Sequence, residues 1–526
     1  MRLLVEIEQI ENSACYQIIL LVLILSFFVI ENAVGQSVNG PTASLNISSI
    51  TANEPVVSNG NDFSYTNSGC PFDTVGLNIR NLQCGYLTVP ENRKKNNGRT
   101  IKLAVAVIKA PKSKIKKSAV VVLTGGPGDR ALSPRFLKLS DMLLPGRDVI
   151  VLDQRGAGSS KPNLCSWLDK SASDIRAMNL TGKQADLMIR GAIRGCHDEL
   201  RAKGIDLGAY NVIENAADIN DLRQALGYTK WNLAGGSYGG MLEQVEIRDF
   251  PAGVRSAVLF SPVPIGMLGG DNVSSFARSL DKVFKLCSSN KSCAETYPYL
   301  KKKFYATIDT LRLHPLKVYL KSGDNGTESY VVNSQDFVHL IFEMLYNENG
   351  ISYFPATVNA FYSRDKKTVS KIISSGMGAD YKISEGMFLS DVCYDAPASR
   401  SKWETEAAAH PDLKAIGFWN DACTYWEPEH ATPAELRPVK SDIPVMVING
   451  YLDPITPPEK IQIVLNGFSN ARHVMLKDGT HSEPSVRTIG CLRLLVGKFL
   501  NNPSKKPDTA CVTKISPLQF KSIEKN

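Results

Sequence analysis

The chain has 526 residues, 43% of them hydrophobic, with a formal net charge of +8. That length exceeds one average domain but suits an α/β fold enlarged by an inserted cap, with ample apolar content for a sizeable core. The charge is modest for the length. Its basic clusters (Arg93-Lys94-Lys95, Lys112 to Lys117 and Lys301-Lys302-Lys303) fall in turns or on helix faces, which argues against nucleic-acid binding.

At the amino terminus, residues 18–30 are apolar apart from Ser26, and Ala33-Val34-Gly35 offers a small-residue cleavage site. An apolar stretch of 13 residues is short for a membrane span, which needs about 20. Residues 1–35 therefore read as a secretory leader, and no stable membrane span is expected after its removal. Glu6, Glu8 and Glu11 stand where a leader is normally basic, so an uncleaved anchor is the alternative. Residues 36–69 are rich in Ser, Asn, Thr and Gly and read as a loose polar spacer.

The first part of a folded core is expected over 70–264. Leu87-Thr88-Val89 and residues 101–108, separated by a polar turn, read as an antiparallel hairpin. Residues 119–123 form a β-branched apolar run suited to a central parallel strand. The run ends in Thr124-Gly125-Gly126-Pro127-Gly128, where glycines let the backbone approach a reacting carbonyl. The Gly126 amide is the candidate oxyanion donor, although a plain Gly-Pro turn is the simpler description. The next strand, 149–152, leads into Asp153-Gln154-Arg155-Gly156-Ala157-Gly158-Ser159-Ser160. This loop lacks a P-loop lysine and dinucleotide glycine spacing, and reads as scaffold beneath a site.

Residues 231–234 are strand-like and run into Gly235-Gly236-Ser237-Tyr238-Gly239-Gly240, followed by the helical periodicity of 241–248. Gly235-x-Ser237-x-Gly239 is the nucleophile-elbow pattern, in which a strained turn lifts a serine hydroxyl above the end of a sheet. Ser237 is the candidate nucleophile, and the Tyr238 amide the second candidate oxyanion donor. A further strand covers 254–260. Residues 265–440 then lose β-α alternation and read as an inserted, mainly helical cap. The cap holds Phe388, Tyr394, Trp403, Phe418, Trp419, Tyr425 and Trp426 near Asp391, Asp395, Glu404, Asp421 and Glu427. A carboxylate beside an aromatic wall suits a substrate ammonium, but each residue taken singly is better described as cap core or solvated face.

The core resumes over 441–511. Residues 444–450 are a buried-strand run that delivers Asp453 just past its end, and 473–476 form a short strand that delivers His481. Ser, then Asp, then His is the triad order of α/β-hydrolases. Serine is a weak nucleophile until an imidazole removes its proton, and the imidazole needs a carboxylate to hold its tautomer. Asp453-Pro454 and Asp478-Gly479 also read as turn signals. His197, His314, His339, His410 and His430 lie in helical or cap-like segments. Residues 512–526 are a tail.

Four motifs in register are Gly125-Gly126-Pro127-Gly128, Asp153-Gln154-Arg155-Gly156-x-Gly158-x-Ser160, the Gly235 to Gly240 elbow, and Gly450-x-x-Asp453-x-x-Thr456-Pro457. Together they resemble the tripeptidyl-aminopeptidase and proline-iminopeptidase group of α/β-hydrolases, over residues 70–511. The resemblance implies an α/β-hydrolase fold with a mostly parallel central sheet, an inserted cap, no cofactor or metal, and action on peptides with a free amino terminus. The chain departs from the group in three places. Thr480 and Ser482 flank His481 where glycines are usual, Thr124 replaces the histidine of iminopeptidases, and Asp129-Arg130 follow the loop where small residues are the rule.

Of the 11 cysteines, Cys15 belongs to the leader; the other ten include no C-x-x-C pair, so disulfides in an oxidising compartment are expected. Pairing sequence neighbours suggests Cys70–Cys84, Cys165–Cys196, Cys287–Cys293, Cys393–Cys423 and Cys491–Cys511, though spacing does not determine connectivity. Sequons begin at Asn46, Asn179, Asn272, Asn290 and Asn325. The expectation is a secreted serine exopeptidase that releases short peptides or proline from free amino termini. A carboxylesterase or lipase-like hydrolase with the same three side chains is the alternative. The substrate is thus a peptide or an ester, and the sequence carries no sign of oligomeric state.

Overall fold

A computed structural model of the chain describes residues 63–523 apart from 75–80, 96, 111–117, 145, 179, 181, 269–271, 323–325, 377–382, 417–421 and 427–428. The leader, most of the spacer, and Phe418, Trp419, Asp421 and Glu427 of the cap lie outside the described residues. So do the sequon asparagines Asn46, Asn179 and Asn325.

The described strands build a nine-stranded sheet in the order β1-β2-β3-β5-β4-β6-β7-β10-β11. Its members are β1 (Ser64–Ser68), β2 (Leu82–Pro90), β3 (Thr100–Ile108), β4 (Val120–Leu123), β5 (Val149–Leu152), β6 (Trp231–Gly236), β7 (Val254–Phe260), β10 (Val445–Gly450) and β11 (Ala471–Leu476). Pairing is antiparallel from β1 through β3 to β5 and parallel from β5 to β11. This is the α/β-hydrolase fold with its mostly parallel sheet.

The central strands are β-branched runs buried on both faces, as parallel strands covered by helices must be. Their side chains alternate between two cores. Leu103, Val105, Ile150, Val445 and Val447 join the core that also contains Met241, Val245, Ile219 and Ile461. Ala104, Ala106, Val149, Val151, Met446 and Ile448 join the opposite core with Leu137, Leu495 and Phe499.

The hairpin expected near Val89 is β2–β3, in register from Leu82↔Ile108 to Pro90↔Thr100. β1 falls within the segment whose composition reads as a loose spacer. It pairs through its backbone with β2, Ser64 opposite Thr88, and an edge strand of this kind needs no apolar face.

The region between β7 and β10 is mainly helical, as expected, but also holds a hairpin of β8 (Leu316–Ser322) and β9 (Gly326–Val332). Leu316 and Val318 are fully buried while Lys317 and Tyr319 face outward, a two-residue alternation too short to stand out in a helical context. Helices Asn272–Ser289, Leu300–Leu313, Ser334–Leu345 and Glu348–Tyr362 pack around Phe276, Phe304, Phe337, Phe354 and Phe361. Leu518 of the tail is buried in the same cluster, and the Lys521 amide donates to the Ser352 carbonyl at 2.9 Å.

A separate cluster joins helix Gly182–Ala202, which lies between β5 and β6, to helices Glu385–Tyr394 and Cys423–Trp426. Cys165–Cys196 and Cys393–Cys423 cross-link this layer. All five disulfides pair the sequence neighbours anticipated above. Among the described residues no helix is long and apolar enough to cross a membrane.

Candidate active site

Ser237 lies between the end of β6 and the helix Tyr238–Asp249, at φ 57° and ψ −119°. For a non-glycine residue that backbone is strained, by an amount of order 1–3 kcal/mol. It is held by the Ser237 amide donating to Phe260 O at 2.9 Å and the Val263 amide donating to Ser237 O at 3.0 Å. The hydroxyl does not cap the helix behind it, which leaves it for other partners. The turn closes because its glycines are bare. A β-carbon on Gly235 would meet the Gly239 carbonyl at 2.9 Å, and one on Gly239 would collide with the Leu123 carbonyl oxygen.

Asp453 follows β10 and is fully buried. One oxygen accepts the amides of Ile455 and Thr456 at 2.7 and 2.8 Å, and the other lies 2.8 Å from Thr456 Oγ1. His481 Nδ1 stands 3.0 and 2.9 Å from the two oxygens. Burial opposes the carboxylate's charge, but His481 and the Thr456 and Ile455 amides outweigh it and hold the group at about 2. Beside the ionised Asp453, Nδ1 is the ring nitrogen that donates.

The acid and histidine loops are one unit. The Tyr451 amide donates to Leu476 O and the Leu452 amide to Gly479 O, both at 2.9 Å. Residues of the cap tie this unit down. Ser279 Oγ donates to Leu452 O at 2.6 Å, and the Ser482 amide donates to Tyr346 O at 2.8 Å. The Tyr346 ring meets the His481 ring edge-on, with centroids 5.3 Å apart. Thr456 joins this unit to the elbow side, because its Oγ1 also lies 3.0 Å from the carbonyl of Ser261, the residue after Phe260. Thr456 belongs to the Gly450 to Pro457 motif, which by itself assigns it no role. Its signal was there: a hydroxyl three residues after an aspartate that must be satisfied when buried.

The loop after β4 lies against the elbow. A β-carbon on Gly125 would be 3.2 Å from Ser237 Cβ. Gly126 has φ +98°, in the region that favours glycine. Gln154 braces the loop, its Nε2 donating to Thr124 O and Gly125 O at 3.1 Å and its Oε1 accepting from the Gly128 amide at 3.0 Å. Tyr238 occupies the first position of its helix, where an amide has no intrahelical acceptor. Its side chain is fully buried, with Asn215 Nδ2 3.1 Å from the hydroxyl.

The remaining candidates lie apart from this unit. His473 Nε2 is 2.7 Å from Asn449 Oδ1 on the neighbouring strand. His197 sits beside Trp426 and His430 beside the Cys393 carbonyl. Asp391 of the cap is buried, accepts the Val212 amide at 2.9 Å and is hydrogen-bonded by the Tyr238 hydroxyl, which ties it to the elbow side. Among the described residues no group of three or more His, Cys, Asp or Glu is placed to hold a metal ion.

The family described as alpha/beta hydrolase fold matches residues 118–313, and the family described as TAP-like protein matches residues 414–511. YuaR of Escherichia coli (strain K12) is 26% identical over 461 residues, covering 82% of this chain and 88% of that protein. The tripeptidyl aminopeptidase of Streptomyces lividans is 23% identical over 435 residues, covering 76% of this chain and 78% of its own length. Serine protease Hip1 of Mycobacterium tuberculosis (strain ATCC 25618 / H37Rv) is 27% identical over 190 residues, covering 34% of this chain and 35% of that protein.

Proposed function

For a hydrolase with the α/β-hydrolase fold and a TAP-like carboxyl-terminal segment, we propose a serine exopeptidase that acts on peptides with a free amino terminus. The observation that carries the chemistry is the buried, ionised Asp453 holding His481 Nδ1 beside a loop that touches a serine elbow. In this reading His481 Nε2 takes the Ser237 proton as Oγ attacks the scissile carbonyl carbon. Asp453 stabilises the imidazolium, and the Gly126 and Tyr238 amides receive the oxyanion. Collapse of the tetrahedral intermediate breaks the C–N bond, and His481 returns the proton to the leaving amine. Water, deprotonated by the same nitrogen, then releases the acyl group from Ser237.

The preference for peptides rests on the resemblance to peptidases, and the strained elbow serves ester cleavage equally well. Export through the leader is part of the same proposal. Five disulfides fit an extracytoplasmic protein.

The test is a panel of aminoacyl and peptidyl chromogenic amides, each free and N-acetylated, beside a short-chain ester. Acetylation is expected to lower kcat/KM by at least about tenfold, the equivalent of one hydrogen bond to a charged group. The loss should fade as the pH passes the amine's own pKa, near 8. Equal rates on free and acetylated amides with brisk ester hydrolysis would make the protein an esterase instead.

A further inference from the structure

The loop after β4 carries a carboxylate that the chemistry above does not use. A β-carbon on Gly125 would sit 3.2 Å from Ser237 Cβ and 3.4 Å from Asp129 Oδ2, so both side chains close on the same side of this glycine. Their separation is at most the sum of those two distances, 6.6 Å. Asp129 is built into the fold by its backbone. It pairs with Ile383 across an isolated bridge to the cap, and its carbonyl lies 3.5 Å from Thr124 Oγ1. The side chain is half-buried and is not needed for either contact.

Among the described residues no lysine or arginine pairs with this carboxylate. Burial pushes it up to about 6, and His481 is the charge that draws it back. The adjacent Arg130 acts on Asp153 instead. A carboxylate partly withdrawn from water, with no lysine or arginine beside it among the described residues, is stabilised by a cation that arrives there. The cap carboxylates are worse placed, since Asp391 and Asp395 are both buried, with Asp391 held by the Val212 amide.

Resting on the serine exopeptidase reading, we infer that Asp129 receives the α-ammonium of a substrate whose acyl part is a single residue, so that one amino acid leaves per turnover. The lengths decide this. An α-nitrogen lies roughly 2.5 Å from its own carbonyl carbon, across two bonds of about 1.5 Å. That carbon stands roughly 3–3.5 Å from the attacking oxygen, and an ammonium–carboxylate contact adds about 2.8 Å. End to end those three steps reach about 8–9 Å, more than the 6.6 Å that at most separates Ser237 Cβ from Asp129 Oδ2, so a one-residue acyl part spans the gap with room to bend. Each further residue moves the terminal nitrogen up to about 3.5 Å outward, so the amine of an extended tripeptide overshoots Asp129. Proline fits the same scheme, because its secondary ammonium is equally close to its carbonyl.

The test uses the full-length mature protein and a length series of free amino-terminal amides carrying one, two or three residues before the same leaving group. The wild-type protein should favour the one-residue amide over the three-residue amide by about tenfold or more in kcat/KM. Asp129→Asn, which keeps the side chain's size, should shrink the free-to-acetylated ratio for the one-residue amide to about threefold or less. Asp129→Glu should restore part of it. A wild-type preference for the tripeptidyl amide would overturn the inference without calling on any variant. An unchanged free-to-acetylated ratio in Asp129→Asn would overturn it too, as would equal losses on free and acetylated substrates. If wild-type protein turns over no amide and Ser237 resists a fluorophosphonate, the underlying hydrolase reading falls and the inference with it. Labelling with normal amide turnover but no length preference removes the inference alone.

Discussion

Two buried aspartates in different parts of the molecule titrate in opposite directions. Asp453, at the carboxyl end of the sheet, is held at about 2, and Asp395, in the layer above the elbow, is pushed up to about 7. Burial raises both. The difference is the company: Asp453 has two amides, a hydroxyl and an imidazole, whereas one backbone hydrogen bond from Leu268 opposes burial at Asp395. Donors rather than depth decide whether a buried carboxylate stays charged. The sheet end is therefore arranged for an anion, and the cap for acids that carry their proton well above the usual carboxylate range.

The largest effect that divides the two regions is on turnover. His481→Ala should lower kcat by about five to six orders of magnitude, and Asp453→Asn by about four, because the proposed group acts as a unit. His473→Ala, which removes only the contact with Asn449, should keep activity within about threefold of wild type wherever the protein folds. Steady-state kinetics on a single amide substrate decide this, and an exchange of behaviour between the two histidines would redraw the assignment.

Next in size is the loss of a cap cross-link. Cys393–Cys423 closes a loop of sequence separation 30 and Cys287–Cys293 one of separation 6. Replacing the first pair by serine should cost about 3–4 kcal/mol and the second about 2 kcal/mol, on the loop-entropy account. Denaturant titration checks the order. If the short loop proved the costlier, strain in the native layer rather than chain entropy would govern.

Thr456→Val sharpens the comparison at the sheet end. It removes the hydroxyl 2.8 Å from Asp453 Oδ2 and keeps the shape. A hydrogen bond to a charged group is worth about 1.5–3 kcal/mol, so kcat should fall by roughly ten- to a hundredfold. The acid limb of the pH–rate profile should move as the imidazole is held less well. A fall in kcat with no movement of that limb would mean that Thr456 only packs.

The smallest effect is on stability against pH. Asp395 and Glu483 are pushed up to about 7 by burial from 3.8 and 4.5. The folded state thus binds more protons than the unfolded state between those values. This stability is fully present below the unfolded pKa values and is lost as the pH rises toward 7. Asp453 has the opposite sign, adding stability above 3.8 that disappears as the pH falls toward 2. The thermal midpoint should therefore peak near pH 4–5 and decline toward pH 8. Asp395→Asn together with Glu483→Gln should lessen the alkaline decline without abolishing it, since burial also raises Asp129, Asp153, Glu243, Glu246 and Asp391, and a midpoint that rises from pH 5 to 8 would contradict these shifts.

The sheet end was legible in sequence because its signals are local. A β-branched run followed by glycine reports both a buried strand and the loop that must turn at its end, which points to Gly126 and Asp453; Ser237 is marked by the glycines on either side of it and His481 by its place after the last short strand. Thr456 and Asp129 lie within or beside those motifs, yet Ser261 and Ser237, which the fold brings near them, are far off in sequence. The cap was legible only as an interruption. Its aromatic cluster draws on helices with no shared period, and helix Gly182–Ala202 joins Met387 and Trp426, both far away in sequence. β1 is held by backbone pairing to β2, which leaves no mark on side-chain pattern.

The central claim, that Ser237 is a nucleophile activated by His481, is tested most directly by covalent capture. The protein treated with a fluorophosphonate should gain one adduct per chain, mapped by peptide mass to Ser237. Ser237→Ala should gain none, and His481→Ala should react slower than wild type by several orders of magnitude. Undiminished labelling of Ser237→Ala, or an adduct on another residue of the wild-type chain, would contradict the account.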